Sequence, residues 1–344
     1  MNVAQTSWLD ANQRYLWAAL ASVRTALESY VQSMSGMAGD RLDEREEPGA
    51  GVGGQTELIT AAMPAPATLD TVCSAFGLTG FERDLLLLCA GVEMDTAFAS
   101  LCAAAHADPQ RAAPTFSLAL AALPDPHWSA LSPASPLRRW RLIEVGSGSS
   151  LVTSPLRIDE RVLHYLAGVQ HLDEHLLGFV QPLATRAPSG EMLRSQQELV
   201  ERIAALWSRA KTGDLLPVAQ LTGYDRASKQ AIAVAAAAQL GLNLYVMAAQ
   251  ALPVAPHDLE ALIRLWEREA ALSNSALLLD CDDGDPADTA RESLISSFLE
   301  NAGGVLIVAS RERRKTALQR PIATFEPPIS VISMRPSMED LLTS

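Results

Sequence analysis

The sequence is poor in aromatic residues and cysteines, and it has no excess of positive charge. Aromatic side chains make up 5% of its 344 residues, whereas alanine and leucine are abundant, which favours helix. The formal net charge is −13, and a protein that binds nucleic acid through general electrostatics needs a basic surface instead. Four cysteines without metal-ligand spacing indicate buried thiols in a reducing compartment: Cys73, Cys89, Cys102 and Cys281.

Segments that direct a chain to or across a membrane are also missing. The longest apolar run, LLLLCAGV at 85–92, is too short to cross a bilayer. The N-terminal stretch MNVAQTSWLDANQ lacks the basic start and apolar centre of a signal peptide. We therefore expect a soluble, cytoplasmic protein without membrane contact.

The first 66 residues divide into a helix and a linker. Apolar residues recur at spacings of three and four, as in Leu16, Leu20, Val23 and Leu27, so residues 1–35 are predicted to contain an amphipathic helix. This helix either packs on its own protein, which is the favoured interpretation, or contacts another chain. Residues 36–66 lose the periodicity and become charged, then rich in glycine and proline, which predicts a flexible linker.

Residues 67–185 are predicted to form a mainly helical domain. Thr79 and Glu82 have the spacing of a capping box at the start of a helix. Three helical segments precede two β-like runs, WRLIEV and SLVTSPLRI, which GSGS joins, and the helix DERVLHYLAG follows. This order is the layout of a winged-helix domain. If the domain binds DNA, the candidate phosphate contacts are Arg138, Arg139 and Arg141, but the net charge favours a protein partner.

Residues 190–344 alternate between apolar strands and helices, beginning with a helix that a capping box at Ser195 and Glu198 is predicted to open. The predicted strands are LPVAQLTG, LNLYVM, ALLLD, GVLIVAS and PISVISM. Short apolar strands separated by helices of this length indicate a parallel α/β sheet.

The first predicted strand runs into LTGYDRASKQ, which is close to the phosphate-binding pattern G-x-x-x-x-G-K-[ST]. Gly223 and Lys229 have the required spacing, and the loop follows a strand and opens a helix, where backbone N–H groups can cradle phosphates. Ser228 replaces the second glycine. Gln230 replaces the hydroxyl residue that would bind Mg²⁺.

Later strands carry the other parts of such a site. Asp280 ends ALLLD in the place of a Mg²⁺-coordinating carboxylate, and Cys281 stands where a catalytic glutamate would activate water. Asp282 comes one residue later, and Ser310 ends the fourth strand, where a polar residue would sense a γ-phosphate. The predicted degenerate nucleotide-binding residues are Gly223, Ser228, Lys229, Gln230, Asp280, Asp282 and Ser310. We expect no catalysis, and weak binding of ATP and Mg²⁺ stays an open alternative.

Two further clusters contain side chains that can form binding sites. Arg311, Arg313 and Arg314 follow the fourth strand, either as phosphate or inter-subunit contacts or as a solvated cluster. His171 and His175 lie four residues apart with His164 nearby, but a zinc site normally needs three or four protein ligands. The histidines therefore indicate a solvated face, and no metal is expected.

Several stretches resemble one protein family. These stretches are FGLTGFERDLLLLCAGVEMD, PTFSLALAALPDPHWSALSPASPLRRWRLIEV, SPLRIDERVLHYLAG, LWEREAALSNSALLLDCDD and GGVLIVASRER. They are similar to the N-terminal region of bacterial AAA-type ATPases encoded beside phage-tail-like contractile injection systems, and the resemblance runs from about residue 67 onward. It implies a multi-domain chain, with a winged-helix domain followed by a degenerate α/β domain of the P-loop-NTPase-like AAA type.

The resemblance also implies a function. In that family a second AAA module carries intact Walker motifs, so hydrolysis is expected in sequence beyond RPSMEDLLTS, where a helical lid would begin. The implied role is to assist assembly, loading or remodelling of the injection particle through protein partners, with a homo-oligomer as an open alternative. Two other functions remain open: a weak MgATPase in which Asp282 replaces the missing glutamate, and a winged-helix DNA-binding regulator.

Overall fold

The chain divides into two compact units, Met1–His171 and Leu172–Ser344. The computed structural model describes residues 3–37, 63, 65–183, 193–208, 216–285, 287–314 and 318–328. Most of the predicted linker 36–66, and all but the first residue of the predicted strand PISVISM, lie outside the described residues.

The first unit consists of helices and one β-hairpin. Its elements are α1 (Val3–Met37), α2 (Thr68–Phe76), α3 (Gly80–Met94), α4 (Thr96–Ala105), α5 (Phe116–Ala122), α6 (Pro136–Arg139), β1 (Ile143–Val145), β2 (Leu156–Ile158) and α7 (Glu160–Leu166). The strands β1 and β2 pair antiparallel. The second strand is shorter than the predicted run SLVTSPLRI, because residues 151–154 form turns.

Helix α1 packs against its own unit. The predicted apolar positions Leu16, Leu20, Val23 and Leu27 are all buried, and the helix contacts α3 and α4. The buried Asn12 side chain accepts a hydrogen bond from the backbone N–H of Thr68 at 2.9 Å. Intrachain packing is therefore the alternative that the structure shows.

The capping box at the start of α3 forms as predicted. The Thr79 hydroxyl accepts from the backbone N–H of Glu82 at 3.2 Å, and the Glu82 carboxylate accepts from the backbone N–H of Thr79 at 3.0 Å. The two bonds satisfy N–H groups that have no partner inside the helix.

Thr79→Ala is expected to lower the free energy of unfolding by about 1 kcal/mol, because the cap bond to the helix is lost. Urea denaturation followed by circular dichroism measures this change. Ser100→Ala is the matched control, since Ser100 is exposed in the interior of α4, and its effect should stay within about 0.5 kcal/mol. Equal effects of the two substitutions would show that the cap does not stabilise α3.

The second unit is an α/β domain. Its elements are β3 (Val180–Pro182), α8 (Arg194–Ser208), β4 (Val218–Thr222), α9 (Arg226–Gln239), β5 (Asn243–Ala248), α10 (Pro256–Ser273), β6 (Ser275–Asp280), α11 (Thr289–Asn301), β7 (Leu306–Ser310) and β8 (Ile322–Phe325). The sheet order is β3-β5-β6-β7-β4-β8. Strands β4 to β8 run parallel, and β3 is antiparallel to β5.

Three details of this unit differ from the sequence-based expectation. The strand β3 makes the sheet mixed, and it lies within residues 67–185, which were expected to belong to the first domain. The boundary therefore falls at residues 171 and 172. The last described strand is β8, from a segment in which no strand was predicted. Helix α8 begins at Arg194, so Ser195 lies inside its first turn rather than at the cap.

Helices cover both faces of the sheet. Successive residues of a strand point to opposite faces, so Leu277 and Leu279 pack with α10 and α11. Leu278 packs on the other face with α8 and α9. Because β7 lies between β4 and β6, the loops that follow these three parallel strands begin side by side at one edge of the sheet. This edge is where ligands bind in open α/β sheets.

Candidate functional site

The loop after β4 is short and leads directly into α9. Gly223 has φ +127°, a conformation that favours glycine. Its N–H lies 3.2 Å from the carbonyl oxygen of Ser310 and 3.1 Å from that of Arg311. Asp225 is the N-cap of α9. Ser228 and Lys229 therefore belong to the first turn of a helix, not to an extended loop.

The N–H groups at the start of α9 already have acceptors within the chain. The N–H of Ser228 donates to Asp225 Oδ1 at 3.2 Å. The N–H of Lys229 donates to the Asp225 carbonyl at 3.2 Å, and that of Arg226 donates to a carbonyl two residues earlier at 3.1 Å. The Ser228 hydroxyl, followed by the N–H groups of Ser228 and Ala227, lowers the pKa of Asp225. The Asp225 carboxylate thus occupies the end of the helix that attracts anions.

The Lys229 ammonium is buried, with 0% of the residue exposed. It donates to the carbonyl oxygen of Gly223 at 2.6 Å and to that of Ser310 at 3.1 Å. Its third contact is an ion pair with the buried carboxylate of Asp282. An ammonium group has three N–H donors, so chain atoms use all three.

Both carboxylate oxygens of Asp280 also have partners within the chain. Its Oδ2 lies 2.8 Å from Nε and 2.7 Å from Nη2 of Arg226. Its Oδ1 accepts from the backbone N–H of Asp282 at 3.0 Å. Arg226 reaches Asp283 at 3.0 Å as well. A Mg²⁺ ion bound at Asp280 would have to displace this guanidinium or compete with it.

The structure brings most of the predicted site residues together. Lys229 donates hydrogen bonds to Gly223, Asp282 and Ser310. The backbone N–H of Asp282 donates to the Asp280 carboxylate. Ser228 binds Asp225 instead of the other predicted residues. Within the described part of the chain, Gln230 has no hydrogen bond or ion pair to any of the other six.

Two important residues were missed by sequence reasoning. Arg226 was passed over because its partner Asp280 lies 54 residues away. Gln220 is buried in β4, where its Nε2 donates to Ser310 Oγ at 3.0 Å and its Oε1 accepts from Thr324 at 3.2 Å. A glutamine inside the apolar run LPVAQLTG was the available signal, because a buried amide requires partners.

Cys281 and the arginines after β7 add no hydrolytic group. Burial raises the pKa of Cys281 to about 12, so the thiol stays protonated near neutral pH and cannot act as a base. Arg314 forms a bidentate ion pair with Glu292, in which Nη1 lies 3.1 Å from Oε1 and Nη2 lies 2.5 Å from Oε2. Arg311 and Arg313 are exposed.

The histidines and the hairpin arginines make local contacts. His164 stacks edge-on against His171, with ring centroids 5.0 Å apart, and His175 lies 3.1 Å from Asp173. In the described ranges, no group of three or more His, Cys, Asp or Glu could hold a metal ion. Arg138 donates to the carbonyl of Leu131 at 2.6 Å, and Arg139 lies 5.1 Å above the ring of Trp140.

Comparison with known proteins bears on the first unit and on the first residues of the second. Residues 55–180 match the family model for a winged helix domain, variant, which confirms the winged-helix prediction for this part of the chain. No curated protein matches the chain. Among the described helices, none alone is long and apolar enough to cross a bilayer. Helices α3 and α4 together have the required length and composition, but the pair is bent by 117°.

Proposed function

We propose that the chain is the non-hydrolysing, partner-binding portion of an AAA-type ATPase that assists assembly, loading or remodelling of a contractile injection particle. The winged-helix region and the degenerate α/β unit bind proteins in this proposal. ATP hydrolysis belongs to an AAA module with intact Walker motifs. The injection-particle role rests on the sequence resemblance described above.

The full use of Lys229 by chain atoms carries the non-hydrolysing part of this proposal. Phosphoryl transfer depends almost entirely on positioning and on cations aimed at the phosphates. Here the ammonium group donates to two carbonyls and to Asp282, and the guanidinium of Arg226 faces Asp280 and Asp283. Four carboxylates surround these two cations: those of Asp280, Asp282 and Asp283, and that of Asp225, which caps the same helix. This excess of negative charge disfavours a polyphosphate.

The weak-MgATPase alternative requires both ion pairs to break. Asp282 would have to leave Lys229 before it could activate water. Asp280 would have to leave Arg226 before it could bind Mg²⁺. The DNA-binding alternative draws no support from Arg138 and Arg139, because one donates to a backbone carbonyl and the other lies against Trp140.

A titration with a fluorescent ATP analogue and Mg²⁺, with turnover followed in parallel, tests the proposal. The wild-type chain is expected to show no turnover above that of Lys229→Met/Asp282→Leu and no saturable binding at millimolar nucleotide. The double substitution is the control because it removes both charges of the buried pair together. Wild-type turnover that this variant loses would establish the MgATPase instead.

A second measurement tests partner binding. An AAA module with intact Walker motifs from the same injection system is mixed with the chain, and complex formation is followed by size-exclusion chromatography with light scattering. The proposal expects a stable complex and an altered rate of ATP hydrolysis by that module. An unchanged rate and separate migration would contradict the assignment to this ATPase.

A further inference from the structure

The contacts around Lys229 and the start of α9 share one property: the chain supplies the anions. A phosphate-binding loop offers an ammonium group and the N–H groups of a helix N-terminus. In this chain the Asp282 carboxylate pairs with the ammonium, and the Asp225 carboxylate caps the helix. Two acidic side chains from different segments thus lie on the two cationic elements.

The buried state of Asp282 is an independent observation. This residue is 5% exposed, yet its Oδ2 has no hydrogen-bond partner among the described residues. An unsatisfied buried oxygen costs free energy. The Asp282 carboxylate thus keeps one buried oxygen that no described group of the chain satisfies. Asp282 also lies in the loop after β6, whose next residues, Asp283 and Asp285, are exposed.

We infer that Asp225 and Asp282 form an autoinhibitory contact, in which two carboxylates of the chain occupy the positions where phosphate groups would bind. This inference deepens the proposed function and rests on it, because it names the groups that keep nucleotide out of the α/β unit. Release of the two carboxylates exposes the ammonium and the helix N-terminus to a phosphate-bearing ligand. The regulated step is the exchange of internal anions for an external one.

The test removes both negative charges without changing side-chain size. In Asp225→Asn/Asp282→Asn the asparagine at 225 remains a good N-cap, and the asparagine at 282 keeps an oxygen that can accept from Lys229. Isothermal titration calorimetry of the full chain with pyrophosphate, at constant ionic strength, compares this variant with wild type. We expect the Kd of the variant to be at least tenfold lower.

Two controls isolate the site. Glu198→Gln/Glu201→Gln changes the net charge by the same amount on the exposed face of α8, and it should bind pyrophosphate no better than wild type. Adding Lys229→Met to the double asparagine variant should abolish the gain. An ADP titration then separates the sources: tighter binding of ADP than of pyrophosphate indicates a nucleotide, and equal or weaker binding indicates free phosphate.

Several results would overturn the inference. Equal pyrophosphate binding by wild type and by the double asparagine variant would do so, and so would an equal gain in the α8 control. If the double variant is unfolded in chloride, folding that pyrophosphate restores supports the inference. A variant that stays unfolded with pyrophosphate would show that the two carboxylates are purely structural. Turnover by the wild-type chain would instead contradict the proposed function, so the two failures are distinguishable.

Discussion

Asp173→Asn is expected to lower the free energy of unfolding of the second unit by about 3–5 kcal/mol at pH 7, because it breaks a buried ion pair. Asp173 pairs with Arg268 of α10, and their side chains are 1% and 0% exposed. Asparagine keeps the size of the side chain but removes the negative charge that Asp173 places beside the buried guanidinium. Urea denaturation followed by circular dichroism measures the loss.

An exposed pair on the same helix provides the control. Glu260 and Arg264 are 61% and 41% exposed, and an exposed pair contributes about 1 kcal/mol or less. Glu260→Gln should therefore change stability far less than Asp173→Asn. Similar losses of unfolding free energy from the two substitutions would mean that the buried ion pair of Asp173 stabilises the unit no more than an exposed pair does.

The effect of Asp173 should also depend on pH. Burial alone would raise the pKa of this carboxyl, but Arg268 and the hydrogen bonds from His175 outweigh burial and lower it. A group whose pKa is lower in the folded state stabilises the protein above its unfolded pKa, about 3.9 for aspartate. The difference between wild type and Asp173→Asn should therefore be fully present well above pH 4. It should shrink as the pH falls below about 4.

Lys229→Met is expected to destabilise the second unit by about 3–5 kcal/mol, since it leaves the buried carboxylate of Asp282 without its cation. The double substitution Lys229→Met/Asp282→Leu removes both charges. It should recover most of this loss, because a buried ion pair replaced by apolar side chains is often neutral or stabilising. A thermal-unfolding cycle with wild type, both single variants and the double variant measures the coupling.

The cycle has a clear contrary outcome. If Lys229→Met is as stable as wild type, the ammonium is not needed to compensate Asp282. If the double variant is less stable than either single variant, apolar side chains cannot replace the polar groups of this site. The carbonyl contacts of Lys229, at 2.6 and 3.1 Å, would then outweigh the ion pair.

The sequence predicted elements whose signals are local. The cap at Thr79 and the apolar runs of β4 to β7 are recognisable within a few residues, and the structure contains them. The strands β3 and β8 were missed because they have only three and four residues, too few to show a pattern of their own. Val180 pairs with Met247, and Ile322 pairs with Val218. Such short strands depend on their neighbours in the sheet more than on intrinsic preference.

In the site, too, the local features were predictable from the sequence and the long-range contacts were not. The order of strands and loops predicted that Lys229 and Ser310 would meet, since the carboxyl ends of parallel strands share one edge. Sequence could not show that Asp282 turns towards Lys229, or that Arg226 covers Asp280. Both depend on side-chain directions and burial that arise only when loops from three strands pack together.

The place of β4 between β7 and β8 has a consequence for how the protein is made. Gln220 of this strand bonds to Thr324, which lies 104 residues later in the chain. At about 5–20 residues per second, a ribosome adds β8 about 5–20 s after β4. Both neighbours of this buried strand, β7 and β8, follow it in the chain, so neither side of β4 has a partner at first. This unit should therefore fold late and depend on chaperones more than the helical unit does.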